Sequence, residues 1–179
     1  MSAGLQKTLY LIGFMGSGKS TVSRHMSHAL GVPRIEMDDL LAERAGKPIT
    51  QIFAEDGEEV FRRMETDLLR EIGAGGPALV SCGGGVVLRP ENVEIMKATG
   101  TILMLSASPQ TIFGRVRYST KRPILNGNMN VEFIADLMAK REPAYRAAAD
   151  VTVCIDGKTS DVIAGELVER IRNNAGYLE

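Results

Sequence analysis

Tryptophan is absent from this chain, and aromatic residues of any kind are scarce: five Phe and four Tyr among 179 residues. So few stacking side chains disfavour a surface that reads nucleic-acid bases. Cysteine is nearly absent too. Cys82 and Cys154 stand alone without C-x-x-C spacing, which argues against a disulfide framework or a zinc site and fits a reducing cytoplasm. Neither charge dominates, with 21 basic residues facing 22 acidic ones, so no global field draws the chain to nucleic acid or to an anionic membrane. No apolar run approaches the roughly 18 residues of a membrane span. The one hydrophobic stretch near the N-terminus feeds a glycine-rich loop and does not read as a cleaved signal. Repeats and low-complexity segments are missing as well. What remains is an ordinary globular composition, 44% apolar, at a length suited to a single domain.

Against that plain background one stretch stands out, Gly13-Phe14-Met15-Gly16-Ser17-Gly18-Lys19-Ser20, followed by Thr21. It fits the phosphate-binding loop G-x-x-x-x-G-K-[ST] at every specified position. A backbone that wraps a polyphosphate must turn successive N–H groups inward, and Gly13, Gly16 and Gly18 permit those conformations. Lys19 supplies a mobile point charge for the β- and γ-phosphates, and the Ser20 hydroxyl is placed for Mg²⁺. Lys7–Ile12 before the loop reads as a buried strand, and Val22, Met26, Ala29 and Leu30 after it recur at helical spacing. Strand, glycine loop and helix in that order predict a nucleoside triphosphate site, with Gly16, Ser17, Gly18, Lys19, Ser20 and Thr21 as its contacts.

Further along, short apolar runs alternate with helical patterns. Strands are expected at 33–38, 78–82, 101–105 and 151–155. Helices are expected after Asp38, from Thr50 as a cap, over 58–72, from Pro90, from Ser108 with Pro109 in its first position, over 131–141 with Pro143 redirecting the chain, and over 161–172. The stretch 118–130 is polar and turn-rich, and reads as a loop. Such alternation predicts an α/β fold: a parallel sheet with right-handed crossovers, helices on both faces, and ligands gathered at the carboxyl ends of the strands.

Several residues at those ends carry chemistry. Asp38 is either the acid that orients and deprotonates a phosphoryl acceptor or the cap of the helix that follows. On the helix from Glu58, the residues Phe61, Met64, Leu68 and Ile72 form an apolar stripe. Glu65 projects onto that stripe with Arg62 three residues earlier, which gives either a structural ion pair or an arginine pre-oriented to grip an anion. Gly83-Gly84-Gly85 suits close approach of backbone to a ligand. Arg115, Arg117, Lys121 and Arg122 form either a solvated basic loop or a segment that closes over phosphates. Arg141, just before Glu142-Pro143, is a second candidate clamp or a partner of a helix dipole.

Taken together, these residues resemble the shikimate kinases over almost the whole chain. The phosphate loop is joined by Glu36-Met37-Asp38 in place of D-x-D, by Gly57-Glu58-Glu59-Val60-Phe61-Arg62-Arg63-Met64-Glu65 for G-E-x-x-F-R-x-x-E, and by the glycine triplet. Arg122-Pro123-Ile124-Leu125 and Arg141 to Tyr145 (R-x-P-x-Y) complete the set. The resemblance implies a P-loop kinase of the nucleoside-monophosphate-kinase type, with a central five-stranded parallel sheet of order 2-3-1-4-5. The whole of 1–179 would be one domain, with a substrate-binding region at about 36–65 and a lid at about 115–128. The implied activity is transfer of the ATP γ-phosphoryl group to the 3-hydroxyl of shikimate, a step toward aromatic amino acids, by a monomer in the cytoplasm with Mg²⁺ as cofactor. In that reading Asp38 activates the hydroxyl, Arg62 and Arg141 hold the substrate carboxylate, and Glu65 fixes Arg62. The Gly84 and Gly85 backbone contacts the ring hydroxyls, Arg115 packs on adenine, and Arg122 reaches the phosphates alongside Lys19. Glu36 would help hold Mg²⁺ through water, together with Ser20.

Two positions depart from the family pattern. Glu36 stands where Asp is usual, one methylene longer, and Cys82 stands where Thr commonly precedes the triplet. The rival readings are another small-molecule kinase on the same fold, such as a gluconate-type or antibiotic kinase, and a nucleotide switch without acceptor chemistry. The chain lacks the guanine-reading N-K-x-D motif.

Overall fold

The structure, a computed structural model, describes residues 5–119 and 124–174. Its strands are the short apolar runs of the sequence: β1 (Thr8–Gly13), β2 (Arg34–Glu36), β3 (Leu79–Ser81), β4 (Gly100–Ser106) and β5 (Val151–Cys154). They form one parallel sheet in the order β2-β3-β1-β4-β5, the order and orientation that the resemblance implies. All six residues of β1 are buried, as expected for the central strand of a sheet covered on both faces.

The helices are α1 (Lys19–Leu30), α2 (Met37–Ala45), α3 (Ile49–Glu55), α4 (Glu58–Ala74), α5 (Pro90–Thr99), α6 (Pro109–Val116), α7 (Val131–Ala148) and α8 (Ser160–Arg172), with one 3₁₀ turn at Val86–Leu88. Alternation along the strands divides the core in two. Leu9, Leu11, Leu79, Leu103 and Leu105 pack with Val22, Met26 and Leu30 of α1 and with Ile163, Ala164 and Leu167 of α8. On the other face Tyr10, Ile12, Val80, Cys82, Ile102 and Met104 meet Phe61, Leu68 and Leu69 of α4, Met96 of α5 and Ile134 and Tyr145 of α7.

Three boundaries differ from the sequence reading. The strand expected at 33–38 ends at Glu36, because Met37 and Asp38 already belong to the first turn of α2. The cap of α3 is Pro48 rather than Thr50, which lies inside the helix. Pro143 does not redirect the chain: α7 runs through it to Ala148. Pro removes one helical hydrogen bond, yet Arg141 on one side and Tyr145 and Ala148 on the other are buried against the core, and that packing carries the helix across the gap. In the expected lid, Lys121, Arg122 and Pro123 lie outside the described residues.

Candidate active site

The phosphate loop links the central strand to α1, so its position is fixed by the most deeply buried part of the molecule. Gly16 and Gly18 adopt φ of 81° and 92°, the left-handed region that side chains avoid. The loop is also crowded. A Cβ on Gly16 would collide with Val116, and one on Gly18 would lie 2.9 Å from Arg115 Nη1. Lys19 donates from Nζ to the carbonyl oxygens of Gly13 (2.9 Å) and Phe14 (3.2 Å), which folds its charge into the mouth of the loop. Arg115 on α6 donates to the Ser17 carbonyl at 3.0 Å, placing a guanidinium over the loop. On the adjoining turn after β5, Asp156 accepts from the Ser108 N–H at the start of α6. Hydrogen bonds from Thr111 and Ser108 pull its pKa down.

The acceptor side hangs from β2. Asp38 does not cap α2: that position is Glu36, and Asp38 sits within the first turn, where the helix dipole favours its charge. The parallel register pairs Glu36 with Ser81, so both point to one face of the sheet while Cys82 belongs to the other. Burial pushes the Glu36 pKa up, the neighbouring Ser20 and Ser81 hydroxyls oppose the shift, and the nearby Asp38 charge adds to it. Ser20, Glu36 and Asp38 line one cavity with Lys19, Thr21 and Cys82. Among the described residues no group of three or more His, Cys, Asp or Glu could cage a metal. A few hard oxygen donors beside a phosphate loop nevertheless fit Mg²⁺, which keeps its waters and takes most other ligands from phosphates. Burial drives the Cys82 thiol well above its ordinary pKa, so Cys82 is a neutral, inert wall.

The third component is an arginine cradle. On α4, Arg62 and Glu65 are buried together, Nη1 to Oε2 at 2.6 Å. Sequence spacing anticipated this pair but missed Glu58, whose Oε1 accepts from Nε (3.3 Å) and Nη2 (3.1 Å) of the same guanidinium. The guanidinium also lies 5.3 Å from the Phe61 ring centroid and 6.0 Å from that of Phe53, contacts that stabilise a desolvated cation. Burial alone would lower the Arg62 pKa, but Glu65 and Glu58 outweigh it and raise it. For Glu65 burial wins instead, lifting its pKa to about 7 against the pull of Arg62.

The glycine triplet makes this crowding possible. A Cβ on Gly83 would lie 2.6 Å from Glu65 Oε1 and 3.0 Å from Asp38 Oδ1, and one on Gly85 would collide with the Arg62 guanidinium. These glycines therefore admit protein side chains as well as any ligand. Opposite them Arg141 on α7 is buried, with Cζ 5.7 Å from the Phe14 ring centroid. Its Nη1 makes no hydrogen bond to the described residues. One turn later Tyr145 donates its hydroxyl hydrogen bond to the Gly84 carbonyl, and burial pushes its pKa up to about 12.

Arg62, Glu65, Arg141, Asp38 and the triplet line one cavity together with Met15, Ile49, Phe53, Phe61 and Ile124. Those last five were not singled out as cavity-lining from sequence, since apolar residues on helices and loops read as core. Asp38 and Gly84 line both this cavity and the phosphate-loop cavity. A small anion gripped by two arginines would thus meet a polyphosphate at Asp38.

Known proteins resemble this chain over most of its length. A family model described as shikimate kinase matches residues 15–172. A curated shikimate kinase from Symbiobacterium thermophilum is 37% identical over 166 residues, spanning 92% of this chain and 95% of its own. One from Desulforudis audaxviator is 39% identical over 173 residues, 97% of this chain and 90% of its own. Among solved structures, shikimate kinase from Acinetobacter baumannii in complex with shikimate superimposes with a TM-score of 0.90 at 29% identity, over 94% of each chain.

Proposed function

The chain belongs to the shikimate kinase family, and from that premise we propose that it transfers the γ-phosphoryl group of ATP to the 3-hydroxyl of shikimate, giving shikimate 3-phosphate and ADP. The observation that carries the site assignment is the shared wall: Asp38 and Gly84 face both the arginine-lined cavity and the phosphate-loop cavity. Arg62 and Arg141 hold the substrate carboxylate, the Gly84 and Gly85 backbone meets the ring hydroxyls, and the acceptor oxygen comes to rest at Asp38. Asp38 takes the hydroxyl proton as the new O–P bond forms. Lys19 and the backbone N–H groups of Gly16 to Thr21 hold the phosphates. Arg115 lies against the adenine, and Arg122, outside the described residues, completes the charge on the transferring group. Ser20 and, through water, Glu36 would hold Mg²⁺, which would supply positive charge against the phosphates. The remaining work is positioning, which turns a bimolecular encounter into a reaction between fixed partners.

A coupled assay of ADP release tests the activity. Release should depend on shikimate, with gluconate and neutral sugars supporting it orders of magnitude less well. Asp38→Asn should fold as the parent does, bind both substrates, and lose transfer by at least about 100-fold, in line with removal of a general base. Rates equal to the parent's would reject Asp38 as the base. The same reading carries a single-domain monomer acting in the cytoplasm on small molecules, with no nucleic-acid partner. Sedimentation velocity with and without substrates tests the monomer. Among the described residues no helix is long and apolar enough to cross a membrane.

A further inference from the structure

Arg34 is absent from every role above, yet its contacts reach both halves of the site. It opens β2, two residues before Glu36, so strand alternation puts both side chains on one face. Arg34 Nη1 donates to Glu36 Oε2 at 3.0 Å and, more weakly, to Ser23 Oγ at 3.4 Å. Ser23 Oγ in turn donates to the Ser20 carbonyl at 3.0 Å. Ser23 is fully buried, and the Arg34 and Glu36 side chains are only 25% and 12% exposed. A polar chain thus runs from the acid on the edge strand, through one guanidinium, to the first turn of the helix that carries Lys19 and Ser20.

We propose that Arg34 is a positioning residue that holds the Glu36 carboxylate toward Ser20, and so sets the metal side of the nucleotide site. The proposal rests on reading Glu36 as an acid that reaches Mg²⁺ through water. Glutamate carries one more rotatable bond than aspartate, so its carboxylate needs an outside constraint to stay in one place. A guanidinium gripping it from two residues back is such a constraint, tied at its far side to α1 through Ser23. Arg34 also offsets the clustered negative charge of Glu36, Asp38 and Asp39, which line one cavity with it and would otherwise repel a polyphosphate.

The test measures binding rather than turnover. Mn²⁺, as a paramagnetic stand-in for Mg²⁺, is titrated by electron paramagnetic resonance into the enzyme with saturating ADP. In parallel, metal-free ADP affinity and shikimate affinity are measured by calorimetry. Arg34→Met keeps the apolar stem and removes the guanidinium. It should weaken Mn²⁺ binding about tenfold or more, the usual effect of losing a group behind a metal ligand, while the other two affinities stay within about twofold. In a Glu36→Asp background the loss should shrink, because the shorter side chain needs less restraint. Arg34→Lys, which pairs with Glu36 without bridging to Ser23, should fall between, and it carries the test alone where Arg34→Met does not fold. Unchanged Mn²⁺ affinity, or equal losses in the parent and in the Glu36→Asp background, overturns the proposal. A parent enzyme that binds Mn²⁺ and ADP in the expected way but fails to phosphorylate shikimate overturns the functional reading and leaves this one standing.

Discussion

Arg141 buries a charged nitrogen, Nη1, that makes no hydrogen bond to the described residues, a costly state unless a ligand meets it. Removing the guanidinium as Arg141→Met should therefore cost the bound state and spare the folded protein. We expect the shikimate KM to rise roughly thirtyfold, matching about 2 kcal/mol for a charged hydrogen bond, with kcat changed far less. Steady-state kinetics at saturating ATP checks this. Glu65 makes a separate prediction. Its pKa is raised from an ordinary value of 4.5 to about 7, so between those values the folded state retains a proton that the unfolded chain has lost. The stability this group contributes is complete below about pH 4.5 and is lost as pH rises through 7. Relative to Glu65→Gln, the parent should lose stability on the order of 2 to 3 kcal/mol between pH 4.5 and pH 8. Urea unfolding of both proteins across that range reads the difference, and parallel curves would sink the idea. The Arg62–Glu65 pair was legible in the sequence because a carboxylate on an apolar stripe demands a partner. Glu58 was not, because an exposed first-turn acid looks like any other helix-dipole residue.

At the level of elements, the most informative contact is one that periodicity does not reveal. Asn92 on α5 is fully buried. Its Oδ1 accepts from Thr66 Oγ1 at 2.7 Å, and its Nδ2 donates to the Val86 carbonyl at 2.9 Å. It therefore ties α4, which carries Arg62 and Glu65, to the 3₁₀ turn behind the glycine triplet. Asn92→Ala leaves buried donors and acceptors unpaired and should cost about 1 to 3 kcal/mol of stability. It should also raise the shikimate KM, while the KM for ATP is unaffected. Calorimetric unfolding and initial rates test both parts, and equal effects on the two substrates would show that Asn92 serves the core alone. Helices and strands were legible because their apolar spacing is local. The passage of α7 through Pro143 was not, because it depends on Arg141 and Tyr145 being buried on either side, a tertiary fact. The departure at Glu36 was legible as a substitution, but Arg34 as its holder emerges only when the strand places the two on one face.

Across the whole molecule, the candidate site residues collect near the carboxyl ends of the strands, where alternation of strand and helix places a ligand. Strand order and the location of the cleft could be read ahead, the order from resemblance and the cleft from topology. The shared wall of Asp38 and Gly84 could not, since it depends on how far each loop reaches.

Strand order also has a thermal consequence. The phosphate loop grows from β1, paired with β4 along its whole length and with β3 over Leu9–Leu11, whereas Glu36 ends and Asp38 follows β2, three half-buried residues on the rim with a single neighbour. Local opening spreads inward from such margins. Amide protons of 34–36 should exchange faster than those of 9–12 by at least about tenfold, measured by mass spectrometry or NMR; equal protection would contradict the picture. On warming, this protein should forget its acceptor while it still grips its nucleotide.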